Sequence, residues 1–280
     1  MQHIKDIDVN SLQISVIKSG WESLDKYLLL KDHRSELIII GARPSVGKSA
    51  LMFQLAANVS QNYPVQVFSL EMDKEQILSR LIAKELNVSM NYIQSGRVPQ
   101  KDLERAHAKF SKSHYYIDDR AGLDVHDLII AAKEQHQKMD TKLIVIDYLQ
   151  LLRVKRGHSK DDEIGTITNA LKTLAKDLKV PIVVGSQLNR QCEIRGAETG
   201  DYRPVLSDLR ESGNIEQDAD MVLLLHREAR YSGLRPGEAD IIIAKNRSGP
   251  TGQIVMHFTE AQCAFLDQGP RNINANSSLI

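Results

Sequence analysis

The 280-residue chain predicts an α/β fold built on a doubly wound, mostly parallel sheet with antiparallel strands at one edge. Three observations carry that expectation. Short apolar runs without polar alternation recur as far as Leu225, and such runs suit strands covered on both faces. Segments of helical spacing lie between them, the alternation that crossover connections produce. Beyond Met221 the pattern changes to short runs joined by turn residues, which reads as antiparallel strands added to one edge.

Taken in order, the first run is ELIII (36–40), which stops at a glycine, and Gly47-Lys48-Ser49 then opens a helix over 48–61. The run VQVFSL (65–70) precedes a helix over 74–86 with acids in its first turn, and a second helical segment covers 100–111. HYYID (114–118) leads to a helix over 124–138, and KLIVID (142–147) to one over 163–178, where Ile164, Ile167, Leu171, Leu174 and Leu178 fall at helical spacing. PIVVGS (181–186) and MVLLL (221–225) complete the parallel set. In 238–267 three strand-like runs surround turn chemistry at Ser248-Gly249-Pro250 and Thr251-Gly252. The polar segments 154–163 and 189–213 read as long, loosely packed and functional loops, and residues 268–280 as a flexible tail.

Composition narrows the class. Hydrophobic content of 42%, charged content of 26% and zero net charge describe an ordinary soluble protein with no global field for a polyanion. Two cysteines outside any metal-type spacing fit a reduced compartment. No signal peptide or membrane-length apolar run is visible, so the expectation is a soluble, cytoplasmic protein with no membrane partner.

The stretch Ala42-Arg-Pro-Ser-Val-Gly-Lys-Ser49 fits a phosphate-binding P-loop, with Ala42 where the pattern has glycine. Ser45, Val46, Gly47, Lys48, Ser49 and Ala50 are the candidate nucleotide-binding residues. Backbone N–H groups and the helix start cradle phosphate oxygens, Lys48 reaches the β- and γ-phosphates, and the Ser49 hydroxyl can ligate Mg²⁺. In a parallel sheet the carboxyl ends of the strands share one edge, where ligands bind. Polar residues directly follow four apolar runs: Lys48, Glu71, Asp147 and Gln187. Asp147 can hold hydrated Mg²⁺, Glu71 can polarise the attacking water, and Gln187 can sense the γ-phosphate. Each alone also reads as a strand-end cap; their coincidence favours phosphoryl chemistry on ATP.

With these residues in place, the chain strongly resembles the ATPase domain of the replicative hexameric DNA helicases, the DnaB family of bacteria and their phages. SGWESLD (19–25), GARPSVGKSA (41–50), SLEM (69–72), LIVIDYLQL (143–151), SQLNR (186–190), SDLRESGNIEQDAD (207–220) and AKNRSGPTG (244–252) carry the resemblance in the family's order. It implies a RecA-like P-loop NTPase domain over 19–267, preceded by a linker segment at 1–18. It further implies a homo-hexameric ring with ATP between neighbours, single-stranded DNA in the channel, and primase and helicase-loader partners. By the likeness, Lys245 and Arg247 reach the ATP of the adjacent subunit, with Arg247 as a trans arginine finger. Arg210, Glu211 and Gly213 match the DNA-backbone loop, and travel is 5′ to 3′. Full-length members carry a further helical amino-terminal domain, so the chain reads as the ATPase portion. The competing readings are a RecA-like recombination ATPase and a small-molecule kinase whose lid is the arginine-bearing segment 189–213.

Overall fold

The structure, a computed structural model, describes residues 15–154, 160–209 and 212–267. It begins with β1 (Val16–Ile17), α1 (Glu22–Asp25), β2 (Leu30–Lys31), β3 (Leu37–Ala42), α2 (Lys48–Val59), β4 (Val65–Ser69) and α3 (Lys74–Leu86). Next come α4 (Met90–Gln94), α5 (Gln100–Phe110), β5 (Tyr115–Asp118), α6 (Val125–Met139), β6 (Leu143–Asp147), α7 (Lys160–Leu178) and β7 (Ile182–Gln187). The chain continues through α8 (Gln191–Thr199), α9 (Ser212–Asp218), β8 (Met221–His226), β9 (Glu238–Asn246), β10 (Gly252–Thr259) and β11 (Ala264–Asp267).

Nine strands form one sheet in the order β11-β10-β9-β8-β3-β7-β6-β4-β5. The strands from β8 to β5 are mutually parallel, and β9, β10 and β11 add antiparallel to the β8 edge. From β8 to β4 the apolar runs lack alternation because both faces are covered, whereas β5, at the edge, is only partly buried. Ile38, Ile40, Val67, Val145 and Val183 enter the core under α2 and α3, while Leu37, Ile39, Ile146 and Val184 enter the core under α6 and α7. Each such side chain gains roughly 1.5–3 kcal/mol on burial. That makes β3 a rigid base for the loop that follows it.

Helix starts differ in a way that matters for the site. Asp73 caps α3 by accepting from the Gln76 N–H at 2.7 Å, and Asp124 caps α6 by accepting from the His126 N–H at 2.8 Å. At α2 the cap position is Gly47, with no side-chain cap. The first N–H groups of that helix are therefore open to an outside anion.

Two expectations are corrected. Segment 189–213 is not a loose loop: it contains α8, where Cys192 and Gly196 are buried, and a 3-10 turn at Leu206–Asp208 that buries Asp208. The reason is ionic packing between residues distant in sequence: Arg195 clamps Asp208 through bonds of 2.7 and 3.1 Å. Segment 154–163 is likewise helical from Lys160, and its residues 155–159 lie outside the described residues. The fold also reaches before Ser19, since β1 pairs with β2 and Ile17 is buried. The expected tail, 268–280, lies outside the described residues, as does the expected linker up to residue 14.

Candidate functional site

The chain leaves β3 at Ala42, whose neighbours on either side are Gln187 and Leu225. It crosses the next residues with Ser45 at φ 63° and Gly47 at φ 118°. Left-handed residues inside such a loop turn N–H groups toward one point, the geometry of an anion nest. Gly47 is required twice over: by that φ, and because a β-carbon there would meet Phe265 at 3.1 Å and Phe258 at 3.2 Å. The Val46 side chain is buried beneath the loop, so it can offer a ligand only its backbone. Above the loop opens a cleft of about 500 Å³, onto which Ser45, Gly47, Lys48, Ser49 and Ala50 face.

Asp147, fully buried at the end of β6, accepts a 2.5 Å bond from the Lys48 ammonium at Oδ1. Its Oδ2 is buried with no hydrogen-bond partner among the described residues. A buried carboxylate is costly unless its acceptors are used, so Oδ2 marks a place for a ligand. The Lys48 ammonium also lies 4.0 Å from the centre of the Tyr148 ring. Burial, and after it the charge of Asp147, pushes the Tyr115 hydroxyl far above its usual range, keeping it neutral. Room for the Lys48–Asp147 pair comes from Gly185 of β7, where a β-carbon would stand 2.9 Å from Nζ and 3.0 Å from Oδ1.

Glu71 follows β4, is exposed, and lines the same cleft. Gln187 lines it from the end of β7, with its N–H donating to Gln150 Oε1 at 3.1 Å. The next residue, Leu188, bridges to Leu209, and the Asn189 N–H donates to the Asp208 carbonyl at 2.8 Å. The sheet edge thus brings together Lys48, Ser49, Glu71, Asp147 and Gln187.

It does not bring Lys245 and Arg247 to them. Asn246 pairs with Met221 at the start of β8, and Met221 stands beside Ile38 near the start of β3. The phosphate loop is at the other end of β3, roughly 13 Å away at about 3.3 Å per residue. There the Lys245 ammonium donates to the Glu216 carbonyl, and Arg247 donates to the Gln217 carbonyl at 2.6 Å. Burial, and then the charge of Arg247, lowers the pKa of Lys245. Gly213 is exposed in the first turn of α9; Arg210 and Glu211 lie outside the described residues.

Sequence reading missed several cleft residues. Arg43 holds Glu193 through bonds of 2.8 and 3.1 Å and donates to the Leu188 carbonyl at 2.8 Å, tying the loop to α8. Arg227 is 3% exposed, pairs with Glu260 and lies 4.1 Å over the Phe258 ring, while Arg230 lines the same wall. The signal was present: HREAR directly follows the apolar run of β8, as Glu71 and Gln187 follow theirs.

A protein-family model described as the DnaB-like helicase C-terminal domain matches residues 16–267. Among curated relatives, the replicative DNA helicase DnaB of Leifsonia xyli subsp. xyli is 39% identical over 262 residues, 91% of this chain and 56% of the relative. That of Geobacillus stearothermophilus is 38% identical over 265 residues, 91% of this chain and 57% of the relative. The chain spans about half the length of these relatives. Among solved structures, one ATPase domain superposes with a TM-score of 0.85 at 33% identity, covering 93% of this chain and 95% of that one. A DnaB-like replicative helicase solved for its interactions with primase gives 0.83 at 33% identity, over 95% and 66%.

Proposed function

This chain belongs to the DnaB-like helicase C-terminal domain family, and from that membership we propose that it is the ATP-hydrolysing motor domain of a replicative DNA helicase, working in a homo-hexameric ring. The observation that carries the reading is the separation of the two cation sets. Lys48 stands at the carboxyl edge of the parallel strands, whereas Lys245 and Arg247 stand at the opposite end. Side chains so placed cannot serve their own phosphate loop, but they can serve a neighbour's. A self-contained kinase site has no use for them, and the Arg195–Asp208 clamp removes one arginine from any lid.

In this mechanism the loop N–H groups and the start of α2 hold the phosphates of ATP, and Lys48 exchanges its Asp147 contact for phosphate oxygen. Glu71 accepts a proton from the attacking water as general base. Arg247 and Lys245 of the adjacent subunit stabilise the charge that develops on the transferred group. Among the described residues no group of three or more His, Cys, Asp or Glu forms a metal cage. The unpartnered Asp147 Oδ2 and the Ser49 hydroxyl nonetheless fit Mg²⁺ that arrives with the nucleotide. When bound, Mg²⁺ neutralises charge on the β- and γ-oxygens.

Gln187 would report loss of the γ-phosphate through the Leu188–Leu209 bridge to the segment that follows Leu209. There Arg210, Glu211 and the backbone at Gly213 would contact the phosphates of single-stranded DNA. Primase and a helicase loader are the proposed protein partners; a similar helicase was solved for its interactions with primase. No helix among the described residues is long and apolar enough to cross a membrane, and a cytoplasmic site of action is part of the proposal.

The test is a mixing experiment. Lys48→Ala and Arg247→Ala chains should each be inactive alone, and ATP hydrolysis should reappear when they are mixed. DNA should stimulate it, and specific activity should rise with protein concentration. Absence of complementation, with activity independent of concentration and DNA, would overturn the ring-motor reading.

A further inference from the structure

Asp220 stands where four elements meet. Its N–H donates to the Leu37 carbonyl at 2.9 Å, and its own carbonyl accepts the Arg247 N–H at 2.9 Å. Its Oδ2 accepts the Leu37 N–H at 2.7 Å and the ammonium of Lys172 on α7. Its Oδ1 lies 3.5 Å from Arg247 Nη1. Arg247 also donates to the Gln217 carbonyl, and Lys245 to the Glu216 carbonyl. Both carbonyls belong to the last turn of α9, where C=O groups lack helical partners and favour cations. Arg247 is therefore held by one helix-end carbonyl and one carboxylate, and Lys245 by the carbonyl beside it.

α9 is anchored by Ile215, which is buried in the core it shares with α7. Its end holds the cations assigned to the neighbour's ATP. Resting on the ring reading above, we propose that Asp220 is the positioning residue for the Arg247 offered to the adjacent subunit. Asp220 keeps the guanidinium at the sheet end from which it reaches out. The carbonyl contacts are exchanged for phosphate oxygen when the neighbouring site fills. An arginine held in this way loses less side-chain entropy at the transition state than one free in solvent. Asp220 touches no nucleotide; its effect passes through Arg247.

The test uses the mixed rings. In a mixture of Lys48→Ala and Arg247→Ala chains, the productive interface joins the phosphate loop of the second to the arginine of the first. Asp220→Asn is added to one chain or the other. It leaves an amide oxygen for the Leu37 N–H but no charge for Arg247. In the arginine-donating chain it should lower kcat at least tenfold and leave the KM for ATP within twofold. In the phosphate-loop chain the loss should be at least tenfold smaller. Equal losses in both would mean a structural role through the Lys172 pair and overturn the inference. Failure of the parent mixture to complement would overturn the ring reading itself, and this inference with it. Lys172→Met removes the other cation while keeping the carboxylate, and guards against a misfolded Asp220→Asn chain. It should affect both positions alike, and a donor-specific loss would overturn the role of Asp220.

Discussion

Gly185→Ala tests the packing of the catalytic edge with one carbon atom. The added carbon would lie 2.9 Å from Lys48 Nζ, 3.0 Å from Asp147 Oδ1 and 3.0 Å from Met52 Sδ. Ordinary contact begins near 3.4 Å, so the neighbours must give by about half an ångström, the scale at which overpacking is felt. They have little room: Lys48 and Asp147 are already 2.5 Å apart, Asp147 is fully buried, and Met52 sits on a helix buried along most of its length. Overpacking of this kind costs about 1–3 kcal/mol. At roughly 2–4 °C per kcal/mol for a chain of this size, the melting temperature should fall by about 2–12 °C. The rate should suffer more specifically. Misplacement by 1 Å costs about a hundredfold, so a shift of half that predicts roughly a tenfold loss in kcat, or about 1.4 kcal/mol. Steady-state ATP hydrolysis with and without single-stranded DNA, beside a thermal melt, reads both quantities. Wild-type kcat together with an unchanged or higher melting temperature would refute the account of Gly185 as the clearance for the Lys48–Asp147 pair.

Other outcomes follow from single contacts. Lys48→Ala should abolish hydrolysis, and a wild-type rate would remove Lys48 from the phosphate site. Gly47→Ala should cost about 1–3 kcal/mol from the left-handed φ, with added pressure on Phe265, and an unchanged melt would show that the loop relaxes freely. Asp208→Asn breaks a pair whose carboxylate is buried and whose arginine is one-third exposed; it should cost about 2 kcal/mol, below the figure for fully buried pairs, and limited proteolysis should then cut within 189–209 first. Glu228 accepts from His226 and Ser232, which hold its carboxyl below the usual value of 4.5. A folded pKa lower than the unfolded one stabilises the native state above about pH 4.5, and that stability is lost as pH falls through the depressed value. Glu228→Gln should accordingly flatten the acid limb of stability, and an unaltered limb would contradict the assignment.

Much of the fold was legible because burial on both faces leaves a plain trace. The six runs from ELIII to MVLLL became strands at nearly their expected limits; five are covered on both faces, where nothing polar can alternate, and HYYID became the half-exposed edge strand β5. The carboxyl-edge residues were legible for a related reason: Glu71, Asp147 and Gln187 are the first polar groups after such runs. What escaped was structure held by charge. α8 is short and polar, and it stays in place through Arg43–Glu193 and Arg195–Asp208, pairs that only the folded chain brings together. The same holds for Arg227 against Glu260 and Phe258, which meet because β8 and β10 share a sheet edge.

The register of the edge strands is the least legible feature and the one on which the ring reading most depends. Val222 pairs with Lys245 and Leu223 with Ile243, so β9 carries one extra residue, Ala244, against β8. Such a bulge re-aims the side chains beyond it, because a one-residue change in pairing moves them to the other face. Ile241 and Ile243 lie in the two-faced part of the sheet and are fixed by burial, whereas Lys245 and Arg247 lie past the bulge and are fixed by the end of α9 and by Asp220. Their aim is therefore set by an irregularity and a helix end, neither of which has a sequence period.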